Sequence, residues 1–172
     1  GDIDRRIAAV LDHGAYIGGP EVTEMEARLC AVTGAGHCVA VASGTDALVI
    51  GLMGENIGPG DAVFIPAFTY NATANAVLIT GATPVFVDVD RETANIDVAD
   101  LKRRVEAVRK EGNLRPRMVV PVDLYGLPAD YAGVYAVARE HGLAVMADAA
   151  QSLGGAEGNK RVGTLADFTA TS

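Results

Sequence analysis

Five short apolar runs with no polar alternation constrain this chain more than any other feature: Val39-Ala40-Val41-Ala42, Ala62-Val63-Phe64-Ile65, Pro84-Val85-Phe86-Val87, Met118-Val119-Val120 and Leu143-Ala144-Val145-Met146. A strand with one wet face alternates apolar and polar residues, so unbroken runs imply strands covered on both sides. Helical patterns separate them. After Asp97, a residue suited to an N-cap, Val98, Leu101, Val105 and Val108 recur at helical spacing, while Lys102, Arg103, Glu106 and Arg109 take the other face. A second helix is expected from about Tyr131 to His141, stopped by Gly142, and Gly58-Pro59-Gly60-Asp61 reads as a turn leading into a strand. Strands alternating with helices predict an α/β fold in three α/β/α layers around a mostly parallel central sheet.

The chain has 172 residues, 49% of them hydrophobic, enough for one compact domain with a substantial core. It opens at Gly1 without a methionine and closes at Thr171-Ser172 with no polar tail, so it reads as a fragment. The net charge of −8 is spread through the sequence, which argues against nucleic acid and against an anionic membrane surface as partners. No apolar run approaches the roughly 18 residues of a membrane span, and the start lacks the basic-then-apolar order of a signal peptide. A cytoplasmic protein is expected. Cys30 and Cys38 sit in apolar surroundings and read as buried free thiols; His13, His37 and His141 show no ligand spacing, so no metal is expected. Ser43 and Ser152 lack a nucleophile-elbow context and give no support to a hydrolase.

Ligands of open α/β sheets bind at the carboxyl ends of strands, and three polar segments fall there. In Ser43-Gly44-Thr45-Asp46, Gly44 permits close approach of the backbone and the following N–H groups open a helix, which is an anion site. The same residues also read as an ordinary turn capped by Ser43 or Thr45. In Pro66-Ala67-Phe68-Thr69-Tyr70-Asn71-Ala72-Thr73, two aromatics follow a strand in a chain only 5% aromatic. Either they cover a planar ring or they pack in the core. In Asp148-Ala149-Ala150-Gln151-Ser152 a carboxylate ends an apolar strand, where it holds a protonated ring nitrogen or caps the next turn. A phosphate cradle, a stacking ring and a carboxylate together match pyridoxal phosphate better than other common cofactors.

These blocks, with Tyr16-Ile17-Gly18-Gly19-Pro20-Glu21-Val22 before them, Pro121-Val122-Asp123-Leu124-Tyr125-Gly126 between them and Thr171-Ser172 at the end, resemble the sugar-nucleotide aminotransferases of the DegT/DnrJ/StrS type in order and spacing. The resemblance covers nearly the whole chain. It implies the large domain of a fold-type I pyridoxal-phosphate transferase over about 37–172, an N-terminal helical segment over about 1–36, and a C-terminal small domain absent from the chain. It implies that the backbone of Gly44, Thr45 and Asp46 and the Ser172 hydroxyl hold the cofactor phosphate. Tyr70 would stack on the pyridine ring, Asp148 would keep its nitrogen protonated as the catalytic electron-sink partner, and Gln151 would bond its phenolic oxygen. Tyr16, Gly18 and Gly19 would contribute to sugar recognition.

The resemblance places the Schiff-base lysine five positions beyond Ser172, and Lys102, Lys110 and Lys160 are the only lysines here. The implied reaction moves an amine from glutamate to the cofactor and then to a keto group of a nucleotide-linked sugar. Members acting on uridine-diphosphate 3-keto-hexuronic acids are nearest in wording, and family members are homodimers with a shared site. A dehydratase of the same family has histidine in place of the lysine, and a catalytically inactive regulator keeps the fold alone. A nucleotide-binding module would need Gly-x-Gly-x-x-Gly after a strand, whereas Gly34-Ala35-Gly36 precedes one.

Overall fold

The computed structural model describes residues 1–172, which divide into two compact units, Gly1–Ala40 and Val41–Ser172. The first unit holds α1 (Asp2–His13) and α2 (Pro20–Thr33). Proline at the first position of α2 suits its fixed φ and missing donor, and Gly14 and Gly34 end the two helices in the left-handed conformation. Arg6 bonds Glu24 across the two helices at 3.1 and 3.3 Å. Both cysteines are free, and they are half-buried rather than fully buried as expected.

The second unit carries α3 (Gly44–Gly54), β1 (Asp61–Pro66), α4 (Ala72–Ile79), β2 (Thr83–Val87), α5 (Val98–Glu111), β3 (Arg115–Val119), α6 (Tyr131–His141), β4 (Ala144–Asp148), the two-residue hairpin strands β5 (Ala156–Glu157) and β6 (Lys160–Arg161), and β7 (Phe168–Ala170). The main sheet runs β2-β1-β3-β4-β7 with every pairing parallel. Successive side chains on each strand enter opposite cores. Phe64, Val119, Val145 and Ala147 join the helices α5 and α6 on one face, and Val63, Ile65, Met118, Val120 and Met146 join α3 and α4 on the other. This is why the strands show no polar alternation: each residue parity has its own helical layer.

Local signals set the helix ends. Asp97 accepts from the Asp100 N–H and Asp130 from the Gly133 N–H as N-caps, and Gly112 and Gly142 close α5 and α6 in the left-handed region. The strand expected at Val39-Ala40-Val41-Ala42 does not form. A ladder needs a neighbour, this segment pairs with no strand, and Val39 and Val41 remain exposed.

The chain leaves β1 for β2 on one side and returns past β1 to β3 on the other, so the connections diverge between β1 and β3. That divergence opens a crevice at the carboxyl ends of the strands. Phe64, on β1 beside the central strand β3, is the largest of the completely buried side chains. Phe64→Ala should destabilise the fold by about 3–5 kcal/mol in urea unfolding, the range for truncating a buried aromatic; a change below 1 kcal/mol would mean that the two layers do not meet through this strand.

Candidate active site

A cavity of about 240 Å³ occupies that crevice, and its lining includes Gly44, Thr45, Tyr70, Asp148, Gln151 and Ser172. The strand ends deliver these residues. Tyr70 follows β1, Asp148 closes β4, Ser172 follows β7, and Gly44 with Thr45 begins α3. Six of the seven residues expected to hold a cofactor therefore face one space.

Gly44 lies directly against Ser172: a Cβ at Gly44 would stand 2.9 Å from Ser172 Cβ and 3.2 Å from its Oγ. Only glycine allows this approach. The first-turn N–H groups of Gly44 and Thr45 have no acceptor inside their helix and lie at its positive end beside the Ser172 hydroxyl. Asp46 departs from expectation. Its N–H is taken by Ser43 Oγ at 3.1 Å, Ser43 Oγ donates back to Asp46 Oδ2 at 2.8 Å, and Asp46 is not part of the lining. The capping and anion readings of this turn thus hold together, with the donors divided between them.

Neither aromatic after β1 is in the core. Phe68 is 53% exposed and Tyr70 77% exposed, and Tyr70 alone borders the cavity. Behind it, Thr73 is fully packed and its Oγ1 donates to Asp148 Oδ2 at 2.7 Å. Asp148 is 7% exposed, and burial pushes its carboxyl above the ordinary value of 3.8, opposed by the bonds from Thr73 and the Ala150 N–H and reinforced by the negative Asp123. The cap to Ala150 is long, at 3.4 Å, so turn capping is the minor role of this carboxylate.

Gln151 Oε1 accepts from the Tyr125 N–H at 2.6 Å, which leaves its amide NH₂ as the donor toward the cavity side. Tyr125 reaches that bond from a left-handed backbone, φ 57°, in the 3₁₀ turn Leu124–Gly126. Beneath this turn, buried Asp123 accepts from Ala129 N–H at 3.0 Å, Tyr131 OH at 2.8 Å and Ser152 Oγ at 2.7 Å. Asn95 fixes the same loop through Leu124 N–H at 3.1 Å and Leu127 O at 2.9 Å. Sequence reasoning assigned no role to Thr73 or Asp123, although both lie within the blocks it marked.

Tyr16, Gly18 and Gly19 lie in the first unit, between α1 and α2. Tyr16 is exposed, Gly18 has φ 63°, and a Cβ at Gly19 would collide with the Ala15 carbonyl oxygen, so both glycines have a backbone reason to be glycine. None of the three lysines borders the cavity, and Lys102 is paired with Glu140 at 2.9 Å. Glu106, Glu140 and His141 come together in space despite their sequence separation, and the Lys102 ammonium is already the cation on Glu140. No helix is long and apolar enough to cross a membrane.

The donor set fits a phosphorylated, planar, nitrogen-protonated ring. Donors at Gly44, Thr45 and Ser172 suit an anion, and Asp148 Oδ1, with only one long partner, suits a ring N–H. Fold and cavity together define a doubly covered α/β architecture with a polar cavity at the carboxyl ends of its strands.

The chain belongs to the DegT/DnrJ/EryC1/StrS aminotransferase family, whose model matches residues 1–172. This family is pyridoxal-phosphate dependent and has the fold-type I arrangement. Among its relatives, the UDP-2-acetamido-2-deoxy-3-oxo-D-glucuronate aminotransferase of Pseudomonas aeruginosa is 45% identical over 170 residues, 99% of this chain and 45% of that protein. A DegT DnrJ EryC1 StrS aminotransferase from Brucella abortus superposes with a TM-score of 0.96 at 47% identity, over 98% of this chain and 45% of that one. The PLP-form of the putative sugar aminotransferase Spr1654 from Streptococcus pneumoniae gives a TM-score of 0.82 at 29% identity, over 96% and 45%. The chain spans less than half the length of these relatives.

The raised pKa of Asp148 has a sign that can be measured without ligand. The folded state holds the proton more tightly than the unfolded state, so the stability it brings is complete below the unfolded value and is lost as pH rises through the folded value. The Asp148 contribution should therefore decline as pH rises above 3.8, so the stability of ligand-free wild type relative to Asp148→Asn should fall with rising pH in urea unfolding, whatever the opposite slope from the lowered carboxylates Glu24 and Asp100. A parallel pH profile in the variant would show that the carboxyl is not the desolvated group described here.

Proposed function

We propose that this chain is the cofactor-binding part of a pyridoxal-phosphate aminotransferase that moves an amino group from glutamate to a keto group of a nucleotide-linked sugar, in amino-sugar and polysaccharide biosynthesis. The observation that carries the reading is the convergence of Gly44, Thr45, Tyr70, Asp148, Gln151 and Ser172 on one cavity. Gly44 and Thr45 N–H groups and the Ser172 hydroxyl bind the phosphate, with the positive helix end adding to the attraction. Tyr70 covers one face of the ring and keeps water off it. Asp148 holds the ring N–H, and the Gln151 amide donates to the phenolic oxygen.

Bound pyridoxal phosphate supplies an electron sink for proton removal beside the transferred nitrogen. Asp148 sustains that property because its ionised carboxylate favours the protonated ring nitrogen, and its burial strengthens the pairing. The proton itself is moved by a lysine outside these residues, since Lys102, Lys110 and Lys160 do not reach the cavity. Tyr16, Gly18 and Gly19 contact the sugar nucleotide in this reading. The name of the Pseudomonas aeruginosa relative supports a uridine-diphosphate 3-keto-hexuronic acid as substrate. The protein works in the cytoplasm as a homodimer.

The test is to incubate the natural full-length protein with pyridoxal phosphate, glutamate and a UDP-linked 3-keto-hexuronic acid and to follow products by mass spectrometry. An amino sugar, with 2-oxoglutarate in equal amount, is the expected outcome; loss of a hydroxyl without amine transfer would replace the reading by a dehydratase. Asp148→Asn should lower kcat on the order of a hundredfold or more, the scale of losing one preorganised electrostatic partner. Unchanged turnover would remove Asp148 from its role. Tyr70→Ala should weaken cofactor retention on the order of tenfold in equilibrium dialysis, as expected for one stacking contact of about 0.5–1.5 kcal/mol, and equal retention would count against stacking.

A further inference from the structure

We propose that Thr73 is a positioning residue: its hydroxyl fixes the Asp148 carboxylate through Oδ2 so that Oδ1 remains the oxygen that meets the cofactor ring. The proposal rests on the assignment of Asp148 as the ring-nitrogen partner. Its own basis is the geometry behind the cavity. Thr73 is 2% exposed, lies in the first turn of α4, and donates to Asp148 Oδ2 at 2.7 Å across the interior.

A helical threonine has a local alternative, the carbonyl four residues back, and Thr73 uses the distant carboxylate instead. With Oδ2 occupied, the remaining hydrogen bond to the Asp148 carboxylate is the 3.4 Å contact from Ala150 N–H to Oδ1. One oxygen is anchored and the other has acceptor capacity to spare. The anchor also joins two strand ends. Thr73 is three residues past Tyr70, so it fixes the loop that carries the ring-covering side chain to the end of β4.

The chemical need for this anchor follows from the surroundings of Asp148. Burial and the nearby Asp123 carboxylate both favour the protonated acid, and Asp123 is itself bonded to Tyr131, Ser152 and Ala129. The Thr73 hydroxyl opposes both, as a donor to the ionised form must. Without it, Asp148 would be protonated over more of the working pH range and would have lost its orientation.

The experiment compares pyridoxamine phosphate affinity of full-length protein, by isothermal titration from acid to neutral pH, in wild type, Thr73→Val and Thr73→Ser. Valine keeps the shape and removes the hydroxyl, and serine keeps the hydroxyl. Every variant meets the same ligand titration, so a displacement between their profiles belongs to the protein. Thr73→Val should bind on the order of tenfold more weakly near neutral pH, the scale of a lost hydrogen bond to a charged group. Its acid limb should move up by about one pH unit or more, whereas Thr73→Ser should follow wild type. Circular dichroism checks that each variant is folded, and the serine protein keeps the comparison valid if valine disrupts the fold, because its acid limb must then coincide with that of wild type.

An unmoved acid limb in folded Thr73→Val, or a serine variant displaced from wild type, would overturn the positioning role. Asp148→Asn identifies the other failure separately. If that variant binds pyridoxamine phosphate as wild type does, the Asp148 assignment falls and the proposal with it.

Discussion

A parallel sheet covered by helices on both faces buries the central positions of its strands, and here the polar groups that border the cavity gather where strands stop. Every central feature of the second unit follows from this constraint. Phe64 and Val63 point into different cores from neighbouring positions, and Asp148 becomes possible only because β4 ends there. The carboxylate is still largely buried, and the Thr73 hydroxyl supplies the hydrogen bond that offsets its loss of water. Where the strand connections diverge between β1 and β3, no helix fills the end of the sheet, and the cavity occupies that opening.

The hydrogen-bonded loops around the cavity are as organised as the core. Asp123 and Asn95 place their polar atoms on loop backbone and hydroxyl groups, so the turn carrying Tyr125 is fixed from below. That turn in turn holds Gln151 through a left-handed residue. A non-glycine backbone in this region is uncommon and persists when its surroundings determine it. The site is thus pre-shaped by groups that never face it, which limits the reorganisation that ligand binding must impose.

The sheet was legible because four of its strands contain short unbroken apolar runs and two of its helices have strong caps, at Asp97 and Asp130, with glycines at their ends. Three things escaped. Helix α4 is apolar nearly all round and has no periodic face, β7 is three residues of mixed character, and Val39-Ala40-Val41-Ala42 has strand composition without a strand beside it. Composition describes what a segment prefers, whereas a ladder depends on a neighbour. In the site, Gly44, Tyr70, Asp148 and Gln151 were legible from their places after strands and from the family pattern. Thr73 was not, because its partner lies 75 residues away and nothing local marks the pairing. The first-turn donor of Asp46 was misread since Ser43 competes for it, a competition that the sequence states but does not decide.

Gly44 and Ser172 touch, yet they stand at the two ends of the second unit. Contacts between such remote positions form late, because the chain between them must first be ordered. An anion held by this pair cannot bind a half-assembled sheet with native affinity, since one jaw would be missing. Its binding energy therefore acts on the complete unit and raises the stability of all its strands together. Ligand retention at the proposed site would consequently proofread folding: a chain that keeps an anion between Gly44 and Ser172 would, by that fact, have finished the whole sheet.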